Sequence, residues 1–394
     1  MDNTKQLNIE YFSLQSLFWM TYCMVVGFSV TYLLSCGYSN SEAGYILASA
    51  NICALILQPF FADLADRSKK INAMTIFLVS IEIIFVCSIG LFFIGVRSLI
   101  LTLIYIVMIT LANAVIAFLT SIQFLMDTSK SKINFGLCRA GGSLCFAILS
   151  ALMGIMIERI GMKSIPLALF IITLLIIGLC IFITRHSING NIKAVLTLEK
   201  KRSSSLFVFF KENPRFMILS IAMLFIYYAH AFITNFTISI VRNVGGDNRE
   251  MGYLIAFMAL MELPGMIGFK EISRRFKVSS LLLFSMIMFS IKAIIVWLSP
   301  SLMTLTFGFA LQVVSFAIYI PASVQYANII IDEKDTVKAQ MMFNLMQTGG
   351  AVFSSIIGGW LIDFSGISHA LLVGAILSCI GTMIAIAGIQ NTKR

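Results

Sequence analysis

The sequence predicts an all-α membrane protein of twelve transmembrane helices in two six-helix halves, and three observations carry that expectation. Of 394 residues, 59% are hydrophobic and only 12% are charged, whereas a soluble protein carries about 25% charged residues. Apolar runs of the roughly 20 residues needed to cross a bilayer recur along the chain. One long polar stretch divides those runs into two sets. A mean hydropathy of +0.95 excludes a soluble enzyme, a disordered chain and a small scaffold built on disulfides.

The spans follow in order. After a short polar start, apolar runs cover 11–36, 42–62, 73–95, 98–126, 136–157 and 164–184; a second set covers 216–241, 251–269, 279–298, 301–331, 338–362 and 367–389. The first run is too long for the apolar core of a cleavable leader, and residues 1–10 lack a basic cluster, so it is expected to remain a membrane helix. The intervening stretch holds Lys193, Lys200, Lys201, Arg202 and Lys211. The expected domains are therefore 1–184, a cytoplasmic linker at 185–215, and 216–394.

Charge placement sets the expected orientation, because cytoplasmic loops are enriched in Lys and Arg. Only Arg97, Arg159, Lys163, Arg242 and Arg249 fall on one side and Arg139 and Lys292 within spans, leaving the rest of the 28 basic residues on the other side. Both termini are expected in the cytoplasm and the chain in the cell (inner) membrane. This asymmetry explains the formal net charge of +10 without a nucleic-acid partner. The eight cysteines contain no CxxC pair and mostly fall in apolar runs, so they read as small apolar fillers. No Walker, zinc or nucleophile signature is present, and neither cofactor, metal nor enzymatic activity is expected.

A faint internal repeat marks the fifth and eleventh spans. Gly141-Gly142 is followed by Gly154, Glu158 and Gly161, and Gly349-Gly350 by Gly359, Asp363 and Gly366, with the same spacing within each closing triplet. Two readings stay open: a duplicated transporter plan with a binding site between halves, or glycines recurring because packed membrane helices favour them.

Ionisable groups inside a membrane are costly unless paired or hydrated, which makes each a functional candidate. Glu262 lies mid-span in Met261-Glu262-Leu263-Pro264-Gly265, where Pro and Gly loosen the helix. It suits hydrogen bonding to a polyhydroxyl solute, proton binding, or a structural ion pair with the buried Lys292. Arg139, about a turn inside the fifth span, either snorkels to the headgroups or presents its fork of donors to solute hydroxyls. Gly142, Cys145, Phe146 and Leu149 follow it at helical spacing. His230 reads equally as a proton shuttle or as a hydrogen-bonded histidine between helices. Glu82 is isolated in the third span, with interhelical pairing and function both open. Asn113, Gln123, Asn235, Gln312, Tyr319, Gln325 and Tyr326 are polar groups that either complete a site or join helices.

The loop after the second span, from Gln58-Pro59 through Asp63 and Asp66-Arg67 to Lys69-Lys70, resembles the signature loop of the major facilitator superfamily, with Ala62 and Lys69 at that motif's two glycines. Within the superfamily the chain is most similar to the lactose permease-like oligosaccharide:proton symporter family over nearly its whole length. Asn134 to Arg139 matches that family's phenylalanine, glycine and galactoside-binding arginine. Phe146 falls at its stacking tryptophan, Glu262 at its sugar-binding glutamate and Lys292 at an arginine near the proton site. The resemblance implies cytoplasmic gating by Asp66 and Arg67 and a monomer. The departures are Gln123, with Asp127 a turn later, at the other sugar-site glutamate, and Gln312 and Ser315 at the protonatable positions of the tenth span.

The sequence therefore leads us to expect a transporter of a small polyhydroxylated solute, a sugar, oligosaccharide or nucleoside, by alternating access and proton symport. Arg139, Glu262, Gln123, Phe146 and Asn235 are its expected solute ligands across the interface between halves. Glu262, Lys292 and His230 are the expected proton-coupling groups. The alternatives are an uncoupled facilitator, proton-antiport efflux of amphipathic compounds, and a non-transporting sensor on the same scaffold.

Overall fold

The computed structural model describes residues 3–68, 71–127, 133–185, 206–332 and 335–392. Among them there is no strand. Eleven helices are long and apolar enough to cross a membrane, and two further pieces, 4–27 and Ser29–Ser35, bent by 41°, make the first span. The twelve expected spans are thus all present. The first begins at Asn3, earlier than the hydropathy suggests, because its α-helix continues into the polar start of the chain.

The chain divides into two compact units, Met1–Ser39 with Ile46–Glu199, and Asn40–Tyr45 with Lys200–Arg394. The first contains the first span (Asn3–Tyr22, a π-helical segment Cys23–Gly27, and Ser29–Ser35), most of the second (Asn40–Arg67), the third (Ala73–Phe93), the fourth (Leu99–Ala114 and Ile116–Met126), the fifth (Phe135–Ile160) and the sixth (Ser164–Ile183). The second contains a short helix Leu206–Glu212, the seventh span (Pro214–Asn235 and Thr237–Asn243), the eighth (Asn248–Arg275), the ninth (Val278–Trp297), a broken tenth, an eleventh with its own π-helical segment, and the twelfth (Ile367–Gly388). Most of the expected linker, 186–205, lies outside the described residues.

Local chemistry explains where helices begin. Side chains accept hydrogen bonds from otherwise unpaired N–H groups of the first turn: Asn72 from Thr75 (2.9 Å), Ser98 from Leu101 (3.2 Å) and Asn134 from Leu137 (3.2 Å). Asp247 starts the eighth span in a reciprocal capping box with Glu250.

The repeated glycines have repeated structural roles. Gly142 brings the fifth span against the first: a Cβ there would sit 2.6 Å from Trp19 Cδ1 and 3.3 Å from the Gln15 carbonyl oxygen. Gly350 does the same for the eleventh span against the seventh, where a Cβ would meet the Leu224 carbonyl oxygen at 2.6 Å and the Tyr228 nitrogen at 3.0 Å. Gly161 and Gly366, the last residues of the two motifs, end their helices at φ of 90° and 87°, a left-handed conformation that glycine adopts without strain. These paired roles favour duplication over chance recurrence of glycine.

Within the second unit, Asp363 accepts hydrogen bonds from the backbone N–H groups of Asn40 (3.2 Å) and Ser41 (2.7 Å), and from both their side chains. An acid at a helix start meets both the free N–H groups and the positive end of the helix dipole. The Asp363 position is Glu158 in the first repeat.

Candidate functional site

In the first unit the candidate residues gather around the start of the fifth span. Arg139 Nη1 donates to Ser143 Oγ at 2.8 Å, and its guanidinium carbon lies 3.9 Å from the centre of the Trp19 ring. These contacts draw the head group toward Ser143, one turn along its own helix, and onto the first span, which speaks against the snorkelling alternative. Gly142 makes the arrangement possible by letting Trp19 come so close. The indole N–H is spent on Gln15 (3.0 Å), the Gln15 amide donates to the Tyr11 hydroxyl (2.8 Å), and Tyr11 donates to the Leu119 carbonyl on the fourth span (2.9 Å). Tyr11 and Gln15 are buried, so the chain satisfies groups that would be costly alone.

Phe146 is not the ring that lies on Arg139. Its Cζ faces Gly27 in the π-helical segment of the first span, 3.8 Å from where a Cβ would sit. Trp19 takes the place against the guanidinium, and sequence reading missed it. The available signal was Tyr11, Gln15, Trp19 and Tyr22 at spacings of four, four and three, one polar-aromatic face of a helix.

The other polar groups of this unit serve the break in the fourth span at Val115. Tyr22 donates to Asn113 (3.0 Å), Asn113 donates to Asn51 (3.0 Å), and Gln58 donates to the Asn113 carbonyl (3.2 Å). A broken helix leaves backbone groups that neighbours must satisfy. Gln123 is partly exposed in the second piece of that span. Asp66 and Arg67 fall in the last turn of the second span, but their side chains lie outside the described residues, as do Lys69 and Lys70.

In the second unit the tenth span is broken into Leu302–Ala310, a 3-10 turn Leu311–Val313, and Phe316–Ile330. Ser315, at the joint, has φ −89° and ψ −89° and donates to the Leu311 carbonyl at 2.7 Å. Gly265 of the eighth span fits against this turn, where a Cβ would lie 2.5 Å from the Val313 carbonyl oxygen. Pro264 beside it interrupts the hydrogen-bond ladder of its own helix.

Gln312 in that turn joins the two charged candidates. Its Nε2 donates to Glu262 Oε1 at 3.0 Å, and its Oε1 accepts from Lys292 Nζ at 2.6 Å. The partners fix the amide orientation, since an ammonium only donates and a carboxylate accepts. Of the three uses open to Glu262, the direct ion pair is replaced here by a bridge: Lys292 and Glu262 are joined through a neutral amide. Lys292 and Gln312 are each 1% exposed, whereas Glu262 is partly exposed. Met258 Sδ, at 3.9 Å, and the Phe309 ring, 5.5 Å from centre to Nζ, complete the ammonium's surroundings.

His230 is buried among rings. It stacks on Phe316, the first residue after the break (5.0 Å, 17° between planes), and meets Phe289 and Tyr227 at 5.2 and 5.1 Å. Its Nδ1 has no hydrogen-bond partner among the described residues, so that nitrogen makes none of the contacts expected of a hydrogen-bonded histidine between helices. Asn235 donates to Ser355 Oγ at 3.1 Å, in the π-helical segment Ser354–Gly358 of the eleventh span. That contact joins helices and is separate from the Glu262 cluster. A cavity of about 390 Å³ toward the start of the eighth span is lined by Glu250, Tyr253, Phe257 and Leu302 and includes none of the candidate residues.

Two six-helix sets with a repeated glycine framework, and polar clusters at helix breaks, define a multi-pass membrane transporter of the major facilitator fold. Solved structures with that fold match nearly the whole chain: an alanine variant of the nucleoside transporter NupG (TM-score 0.82, 15% identity, 99% of this chain and 100% of that one) and an auto-inhibited POT family peptide transporter (TM-score 0.79, 10% identity, 97% and 96%). Among relatives, the maltose permease of Geobacillus stearothermophilus is 21% identical over 88% of this chain and 85% of its own. The uncharacterized transporter YwbF of Bacillus subtilis (strain 168) is 25% identical over 87% and 83%. A profile described as MFS_1 like family matches residues 7–373, and the chain belongs to that family.

Proposed function

We propose that this transporter moves a small polyhydroxylated solute, a sugar, oligosaccharide or nucleoside, by alternating access and in symport with protons, in the cell (inner) membrane with both termini cytoplasmic. The observation that carries the reading is Glu262. Its carboxyl is partly exposed mid-span, one oxygen is held by Gln312, and the buried Lys292 stands behind that amide. Such a group accepts hydrogen bonds from solute hydroxyls and takes up a proton as its surroundings change. Arg139, held over the Trp19 ring, supplies hydroxyl-binding donors. Gln123 and Phe146 are its proposed neighbours in binding, and Asp66 with Arg67 the proposed cytoplasmic latch. The names of the maltose permease and the nucleoside transporter among its relatives point to the same solute class.

A second reading, uncoupled facilitated transport, is favoured by one feature: the hydrogen-bond link between Lys292 and Glu262 is Gln312, an amide that does not titrate. One experiment separates the two. External pH is followed in lightly buffered, de-energised cells expressing the protein while a panel of sugars and nucleosides is added. Symport produces transient alkalinisation with one solute, lost in Glu262→Gln. Entry of labelled solute without alkalinisation establishes the uncoupled reading, and no entry of any panel member overturns the solute class.

A further inference from the structure

Glu82 stands apart from every cluster above. It is the tenth of 21 residues in the third span, Ala73–Phe93, so each end of the helix is about 15 Å away at 1.5 Å per residue. The span's mean hydropathy is 2.6. Phe77 and Ile84, on the opposite side of the helix, are fully buried, as is the adjoining Ile81. Glu82 is exposed, in one stripe with Val79, Ile83, Val86, Ile89 and Phe93. These residues recur at three- and four-residue intervals along one face. Among the described residues Glu82 has neither a hydrogen-bond nor an ion-pair partner. The carboxyl therefore lies at mid-depth on a face that lipid tails would cover, and tails offer no donor to satisfy it.

Charged groups at that depth almost always face a bundle interior or water and pair there, as Glu262 does with Gln312. An acid turned outward calls for a donor from outside the chain. A second copy does not supply one. Among the described residues the other Lys and Arg side chains lie within about two turns of a helix end, whereas Lys292, near mid-span, is 1% exposed and bound to Gln312, and Arg139 is held by Ser143 and Trp19.

We propose that the exposed face of the third span is a docking surface for a transmembrane helix of another protein, one carrying a basic side chain near its middle that pairs with Glu82. Val79, Ile83, Val86 and Ile89 form the apolar stripe against which that helix lies, in the manner of helix recognition through anchors one turn apart. Glu82 fixes its depth and identity, since in lipid a polar contact discriminates where apolar packing does not.

The test uses the full chain, donor-labelled and reconstituted in phosphatidylcholine vesicles. Its probes are acceptor-labelled polyleucine transmembrane peptides with either a lysine or a leucine at the centre. The lysine peptide is expected to give energy transfer above the random-proximity level, with apparent affinity at least about threefold above the leucine peptide. Glu82→Leu is expected to abolish the difference. Adding Val86→Glu to Glu82→Leu moves the carboxyl one turn along the same face, and restores association for a peptide whose lysine is shifted by four residues. That rescue separates loss of the pair from loss of fold. Equal transfer with both peptides, or full association retained in Glu82→Leu, overturns the proposal. Glu82-dependent transfer between two labelled copies of the chain overturns it in favour of self-association.

Discussion

The start of the fifth span and the break in the tenth meet one problem, a cation inside a membrane, in different ways. Arg139 stays half-buried and rests on the face of Trp19, with the Ser143 hydroxyl beside it and Gln15 and Tyr11 behind the indole. Lys292 is sealed off and depends on one amide oxygen to reach its counter-charge. Arg139 divides its hold between an aromatic face, which attracts a cation without directing it, and a serine hydroxyl, whereas the fully buried Lys292 ammonium rests on a short hydrogen bond to a buried amide. The first arrangement tolerates rearrangement and the second does not.

The largest effect follows from that difference. Gln312→Leu leaves the Lys292 ammonium without its acceptor, and stability should fall by about 3 kcal/mol or more, read as a lower unfolding temperature in detergent. Adding Lys292→Met should recover most of the loss; a double variant as unstable as the single one breaks the comparison. Next come the paired glycines. Gly350→Ala drives a Cβ into the backbone of the seventh span and should cost about 1–3 kcal/mol. Gly142→Ala meets mainly the Trp19 side chain, which can shift, so its thermal loss should be smaller although the distances are alike.

A third change separates stability from binding. Arg139→Lys keeps the charge but loses the planar fork and its fit to the indole, so solute affinity should fall about tenfold while stability changes by less than about 1 kcal/mol. Equilibrium binding together with thermal unfolding reads both quantities. If affinity is unchanged, the cluster only packs helices. The smallest effects belong to the caps: Asp247→Ala and Asn134→Ala should each cost about 1 kcal/mol. Asp247 should be the larger because its capping box with Glu250 is reciprocal, and hydrogen exchange in the first turns of the eighth and fifth spans measures it.

The spans were legible because twenty apolar residues in lipid leave the backbone little choice but a helix. The glycine repeat was legible because close approach needs glycine. The bridge through Gln312 was not. It joins residues 20 and 50 positions away, and the sequence Leu311-Gln312-Val313-Val314-Ser315 carries no Pro or Gly to announce a break. Trp19 lies in an apolar run, 11–36, with no charged residue to draw attention to it, and Phe146 stood out because it shares a helix with Arg139. The outward turn of Glu82 was equally hidden, since a helix apolar on all sides has no periodicity to say which face packs.

The π-helical segment Ser354–Gly358 also governs what length changes the eleventh span tolerates. Such a segment holds one residue more than an α-helical turn needs. Deleting one residue there should tighten the segment to α-helix and leave Gly350 on one side and Asp363 on the other in phase. The same deletion four residues earlier, in regular helix, would swing everything beyond it by about 100° and turn Asp363 away from Asn40 and Ser41. Insertions and deletions among natural variants of this span should therefore collect at Ser354–Gly358.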